Sequence, residues 1–164
     1  MKNLLNWPRI VLLLLMATGF ENQSNAQIAT RDFTANVRLN EINPQAFRHF
    51  KKNYAAISNE NWFKTDAGYT VKFTDHLVIN QVFYDQRGNF IYGVRYLDEK
   101  DLGKEISARI HKQFPEYLID IVSELNGDEN IVYMISLRNK ISVKNIMITE
   151  SEVRVIDNLV YASR

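Results

Sequence analysis

Four strand-length segments close this chain, and two of the links between them are only two residues long. The segments run from Tyr117 to Leu125, Ile131 to Arg138, Ile141 to Thr149 and Glu152 to Tyr161. They are joined by Asn126-Gly127-Asp128-Glu129-Asn130, by Asn139-Lys140 and by Glu150-Ser151. A parallel pair needs a crossover of roughly a dozen residues or more, so links this short force antiparallel neighbours. Whatever precedes them must pack on an antiparallel sheet.

The first part of the chain repeats that logic. Asn43-Pro44 reads as a helix start, with Asn as N-cap and Pro at the first helical position, where its missing N–H costs nothing. Phe47, Phe50 and Tyr54 then share one face, and Arg48, Lys51 and Lys52 take the other. From Trp62 the period becomes strand-like, with Tyr69, Val71 and Phe73 alternating with Thr70, Lys72 and Thr74. Leu77 to Tyr84 and Phe90 to Leu97 follow as two more strands, separated by the turn Asp85-Gln86-Arg87-Gly88-Asn89, in which Gly88 can supply a positive φ. Asp101 opens a second helix, with Leu102, Ile106, Ile110 and Phe114 on one stripe and Pro115 at its end.

Helix then meander therefore occurs twice. Tyr69 to Phe73 corresponds to Tyr133 to Leu137, and Ile79 to Val82 to Lys144 to Met147. The expected fold class is α+β: two tandem helix-plus-antiparallel-meander units, about 43–98 and 101–161, forming one curved antiparallel sheet with two helices on one face.

Upstream of this domain, Lys2 and Arg9 precede an apolar run from Ile10 to Met16, and a polar stretch leads to Ser24-Asn25-Ala26. That is the pattern of a cleavable signal peptide over 1–26, followed by a polar lead-in over 27–42 with a short strand around Phe33 to Leu39. The run is well short of the roughly 20 apolar residues of a membrane span, so no membrane insertion is expected after cleavage. The chain is therefore expected to be exported. The 164 residues contain no cysteine, so disulfides and thiolate chemistry are excluded and packing alone must hold the domain. Lys and Arg number 20 against 19 Asp and Glu. Nucleic acid is not the expected partner of so balanced a chain, because its binding rests on clustered cations.

Trp62 ahead of Gly68-Tyr-Thr-Val-Lys-Phe73, Val82-Phe-Tyr-Asp85 followed by Gly88, and Ile110-His-Lys-Gln-Phe-Pro-Glu-Tyr117 leading into a strand give a pattern over roughly 43–160. It resembles the small exported bacterial proteins with PepSY-like domains, related in fold to the β-lactamase-inhibitor protein. The resemblance implies a single domain over 43–164, with both helices on one face and the other face free as a concave protein-binding surface, in a protein of the periplasm or one secreted outside the cell. No stretch matches the inhibitor's projecting loop residue for residue, so inhibition of β-lactamase is not implied.

Catalytic and metal chemistry find little support. His49, His76 and His111 fall in three separate elements without a second histidine at ligand spacing, so no metal site is expected. His49 and His111 read as surface positions of the helices. No Gly-x-Ser-x-Gly elbow or clustered glycine cradle is present, and no catalytic residue or cofactor is implied. Nine aromatic residues fall in the first meander, and both faces of Phe90 to Leu97 carry apolar side chains. If the helices cover Tyr69, Val71 and Phe73, then Thr70, Lys72 and Arg95 line the open face as candidate contacts for a periplasmic or cell-envelope protein or peptide. The leading expectation is an exported, non-enzymatic binding module using that face. Two others stand beside it: a small periplasmic hydrolase or ligand-binding enzyme with a site at Asp75 and His76, and a structural envelope protein that assembles through an edge strand.

Overall fold

A computed structural model describes residues 37–127 and 130–161. The expected signal peptide, and most of the strand expected around Phe33 to Leu39, lie outside the described residues. Val37 donates its N–H to the Trp62 carbonyl (3.0 Å), and Leu39–Glu41 is a turn of 3-10 helix, not strand.

The described residues form an α+β fold of two α-helices and one eight-stranded antiparallel sheet. Helix α1 spans Pro44–Asn53, and α2 spans Lys104–Gln113. The strands are β1 Asn61–Thr65, β2 Gly68–Asp75, β3 Val78–Asp85, β4 Phe90–Leu97, β5 Leu118–Asn126, β6 Ile131–Arg138, β7 Ser142–Ile148 and β8 Val153–Val160. Their spatial order is their chain order. Each half is one helix followed or flanked by four strands, so the first meander has one strand more than the sequence pattern suggests. The extra one is β1, five residues long and separated from β2 by just Asp66-Ala67. That turn closes on Gly68 (φ +146°), where a Cβ would lie 2.1 Å from the Tyr84 carbonyl oxygen, so only glycine fits.

Local signals place the helices. The Asn43 side chain accepts from the Gln45 N–H (2.8 Å), capping α1, and Lys51 and Lys52 sit in its last turn, where they favour the negative end of the helix dipole. Pro115 follows α2, which is preceded by a 3-10 turn over Glu99–Asp101 that presses Leu102 into the core. Gly88 takes φ +85° in the β3–β4 turn, as that turn requires.

Two apolar cores result. Ala46 and Phe50 of α1 pack on Trp62, Val71, Phe73, Val82 and Tyr84, while Ile110 of α2 packs on Leu97, Val122, Ile135, Leu137, Ile146 and Ile148. Both lie on the same side of the sheet. The ladder proves it: Phe73, Asn80, Arg95, Glu124, Tyr133 and Ile148 stand opposite one another strand by strand, and cross-strand partners share a face. This row begins in the first core and ends in the second.

Candidate functional site: the helix-free face of the sheet

The next row of the ladder points the other way, onto the face that no helix among the described residues covers, because side chains alternate along a strand. It runs Thr74, Ile79, Tyr96, Ser123, Met134, Met147 and Arg154, from β2 to β8. Ile79 is 54% exposed and Tyr96 38%. The Tyr96 hydroxyl donates to Gln81 Oε1 (3.0 Å), which ties the ring to its neighbour on the face, and Phe83 stacks on Tyr92 with ring centroids 4.5 Å apart. The Tyr92 phenol is pushed up to about 12, first by burial and then by the neighbouring Tyr96 phenol. Tyrosines held rigid in this way expose apolar area at little entropic cost, and the two methionines add a surface that adapts to its contact.

Thr70 and Lys72 also lie on this face, since both alternate with Val71 and Phe73. They differ in what they offer. Thr70 is 3% exposed and stands between Phe63 and Phe83 in the ladder, so its small side chain is withdrawn from any partner. Gln81, Val94, Leu125 and Val132 are buried along the same midline. The face is thus a packed apolar floor with exposed positions along the Ile79 and Tyr96 row, not a bare plate. Lys72 is half-buried with its ammonium 5.8 Å from the Phe63 ring centre, and burial draws its pKa down.

Arg95 corrects the sequence expectation. It sits on the helix-packed side, opposite Asn80 and Glu124, and not beside Thr70 and Lys72. Its Nη1 donates to Glu124 Oε1 at 2.8 Å, with side-chain exposures of 46% and 8%. Asn126 Nδ2 reaches the same oxygen at 3.4 Å. Burial, the Glu124 charge and a hydrogen bond to Glu124 raise the Tyr133 phenol in that order, and the Arg95 charge opposes them. Tyr54, at the end of α1, is raised by burial and lowered by Arg95. These groups form a polar seam between the two cores, and their partners are one another.

The Asp75 and His76 pair stands at the tip of the β2–β3 hairpin, with His76 Nδ1 2.7 Å from Asp75 Oδ1 and the imidazole almost wholly in solvent. The turn falls one residue later than its sequence pattern suggests, on His76 and Leu77, which both take positive φ (45° and 69°). Two concavities lie along α2, one beside Asp98, Leu102 and His111 and one beside Arg109 and Glu152, both away from this pair. His49 is not a plain surface residue: its ring stacks on Phe90 and its Nδ1 lies 3.0 Å from the Tyr84 hydroxyl. Among the described residues no three His, Asp or Glu side chains are grouped to hold a metal ion, and no helix is long and apolar enough to cross a membrane.

No family model matches the chain, and no curated protein matches it in sequence. Solved structures do match in fold. A BLIP-like protein from Bacteroides fragilis superposes with a TM-score of 0.61 at 11% identity, over 75% of this chain and 89% of that one. A DUF2874 family protein from Bacteroides ovatus gives 0.61 at 14% identity, over 70% and 88%. A candidate periplasmic protein from Bacteroides eggerthii gives 0.60 at 12% identity, over 73% and 88%. At such identities the likeness is one of fold: this chain is similar to the β-lactamase-inhibitor-like architecture.

Proposed function

We propose that the protein is an exported, non-catalytic binding module of the PepSY-like and β-lactamase-inhibitor-like group, and that it engages a periplasmic or cell-envelope protein or peptide through the helix-free face of its sheet. One observation carries the reading. The row from Ile79 through Tyr96 to Met134 and Met147 places exposed or half-exposed apolar side chains on the side that neither helix covers. Tyrosine is a favoured anchor of protein interfaces, and methionine suits contacts that must repack. Lys72 at the flank supplies a cation for orientation, while Thr70 belongs to the floor beneath the contact. The leader pattern over 1–26 and the fold shared with a candidate periplasmic protein support export.

Site-specific photocrosslinking in the native host tests this reading. A benzophenone side chain at position 79 or 96 is expected to give a discrete adduct that the same probe at the exposed Arg48 of α1 does not give. Adducts of equal yield from all three positions, or from position 48 alone, would place recognition elsewhere.

A further inference from the structure

We propose that β8 is a docking edge for a second copy of this chain, pairing antiparallel with its own equivalent to join two sheets across a two-fold axis. The two ends of the sheet are built differently. β1 is short, carries Lys64, and already receives a hydrogen bond on its outer side from the Val37 N–H. β8 is eight residues long, contains neither proline nor lysine, and exposes Val155, Leu159 and Val160. An open edge of this kind is a template for another strand unless it is blunted.

The ladder fixes which backbone groups of β8 point away from β7. Thr149 donates to the Glu152 carbonyl at one end, and Tyr161 donates to the Ile141 carbonyl at the other. Ladder bonds recur every second residue, so Arg154, Asp157 and Leu159 direct their backbone groups to β7 while Val153, Asn158 and Val160 direct theirs outward. The register shift between Asn145 and Ile146 puts one additional residue, Ile156, into the middle of β8. Because of it Arg154 and Asp157, three apart, lie on the same helix-free face, opposite Met147 and Asn145 respectively.

Self-pairing with Val153 opposite the partner's Asn158 then brings outward backbone groups face to face. In the same register Arg154 stands opposite the partner's Asp157, in the closer-set type of pair whose own backbone bonds point away. Two-fold symmetry repeats this, giving two cross-strand ion pairs from one residue pair. Sliding the partner by two residues keeps the faces matched but sets Arg154 against Leu159 and loses both ion pairs. In the monomer Arg154 turns to Glu152 (2.9 Å), and the outward Asn158 N–H donates to its neighbour Asp157 Oδ1 (2.7 Å); the dimer exchanges both exposed contacts for cross-strand ones.

Analytical ultracentrifugation of the full chain over a range of concentrations is the test. The expected species has twice the protomer mass. Arg154→Asp or Asp157→Arg alone, each leaving two like-charge pairs, is expected to weaken association by about tenfold or more, and the double charge swap to restore it. Asn158→Pro, which removes an outward N–H and leaves the β7 ladder intact, is expected to abolish it. Circular dichroism confirms that each variant is folded. A monomer at every concentration overturns the proposal, as does a dimer indifferent to all four variants or one disrupted instead by Tyr96→Lys.

Discussion

Removing the Arg95 side chain separates the two roles that its position could serve. Glu124 is almost wholly buried, and Arg95 supplies its shortest hydrogen bond. Arg95→Ala leaves the carboxylate with the neutral donors Asn126 and Tyr133. Breaking a fully buried ion pair costs about 3–5 kcal/mol, and breaking an exposed one about 0–1. Here one partner is buried and the other nearly half exposed, so water can enter where the guanidinium was, and the expected loss is about 2 kcal/mol. With a urea slope of roughly 1–3 kcal/mol/M, the midpoint should fall by about 1 M. Fluorescence of Trp62, buried and stacked on Tyr84, follows the transition. Glu124→Gln removes the buried charge and frees a half-exposed arginine, so the double variant should lose less than the two singles together, by about 1 kcal/mol. A loss under about 0.5 kcal/mol for Arg95→Ala would refute the idea that Arg95 stabilises the buried Glu124 carboxylate. Photocrosslinking at position 96 should be unchanged by Arg95→Ala, because the two residues stand on opposite sides of β4; its disappearance from a folded variant would refute the facing.

The β2–β3 turn holds two residues other than glycine at positive φ, His76 and Leu77. Replacing them with Asn and Gly, the pair that this turn prefers, is expected to raise stability by about 1 kcal/mol, measured as a higher urea midpoint; a lower midpoint would mean that the exposed imidazole and Leu77 contribute contacts of their own. The raised Tyr92 phenol makes folding sensitive to alkali. Its contribution is fully present below the ordinary tyrosine value near 10 and is lost as pH rises toward about 12, since the unfolded chain releases that proton first. Stability of the native protein should therefore fall more steeply than that of Tyr92→Phe between pH 10 and 12, and parallel curves would refute the assignment.

Much of the fold can be read from the chain, and the exceptions have physical causes. Two-residue links dictate antiparallel order, and the stripes Phe50 to Tyr54 and Ile106 to Phe114 dictate which helix faces are buried. β1 escapes notice because it is short and buries just Trp62, so it reads as the approach to β2. The facing of Arg95 escapes for a sharper reason. In β4 the residues Phe90, Tyr92, Val94 and Tyr96 are all apolar, and strict alternation makes that set the core side and Arg95 the open side. The ladder instead shifts between Phe83 and Tyr84, so that Phe90 pairs with Tyr84 while Tyr92 pairs with Phe83. Ile91 is the additional residue, and a bulge of this kind leaves no mark in an apolar pattern. The sequence does not single out Tyr96, Met134 and Met147 as contact residues for the same reason: apolar residues of both parities give no sign of which set faces the helices.

That bulge is also what permits the division of labour across the sheet. Phe90 turns to the helix side, where it meets His49 and Tyr84, while Tyr92, Val94 and Tyr96 stay together on the other side. One strand can then supply a ring to the first core and a row of rings to the helix-free face, which regular alternation does not allow. The helix side of β4 opposite that row is filled by Gly93, Arg95 and Leu97, of which just Leu97 belongs to an apolar core. The middle of the sheet thus gives its helix side to an ion pair and concentrates apolar surface on the side opposite α1 and α2, the reverse of what burial by those two helices alone would select. Stability by itself does not call for that inversion, since an apolar pair at Arg95 and Glu124 would pack as well. A contact made on the helix-free face does call for it, and this is the physical ground on which we propose recognition at Ile79, Tyr96, Met134 and Met147 and support from Arg95 and Glu124.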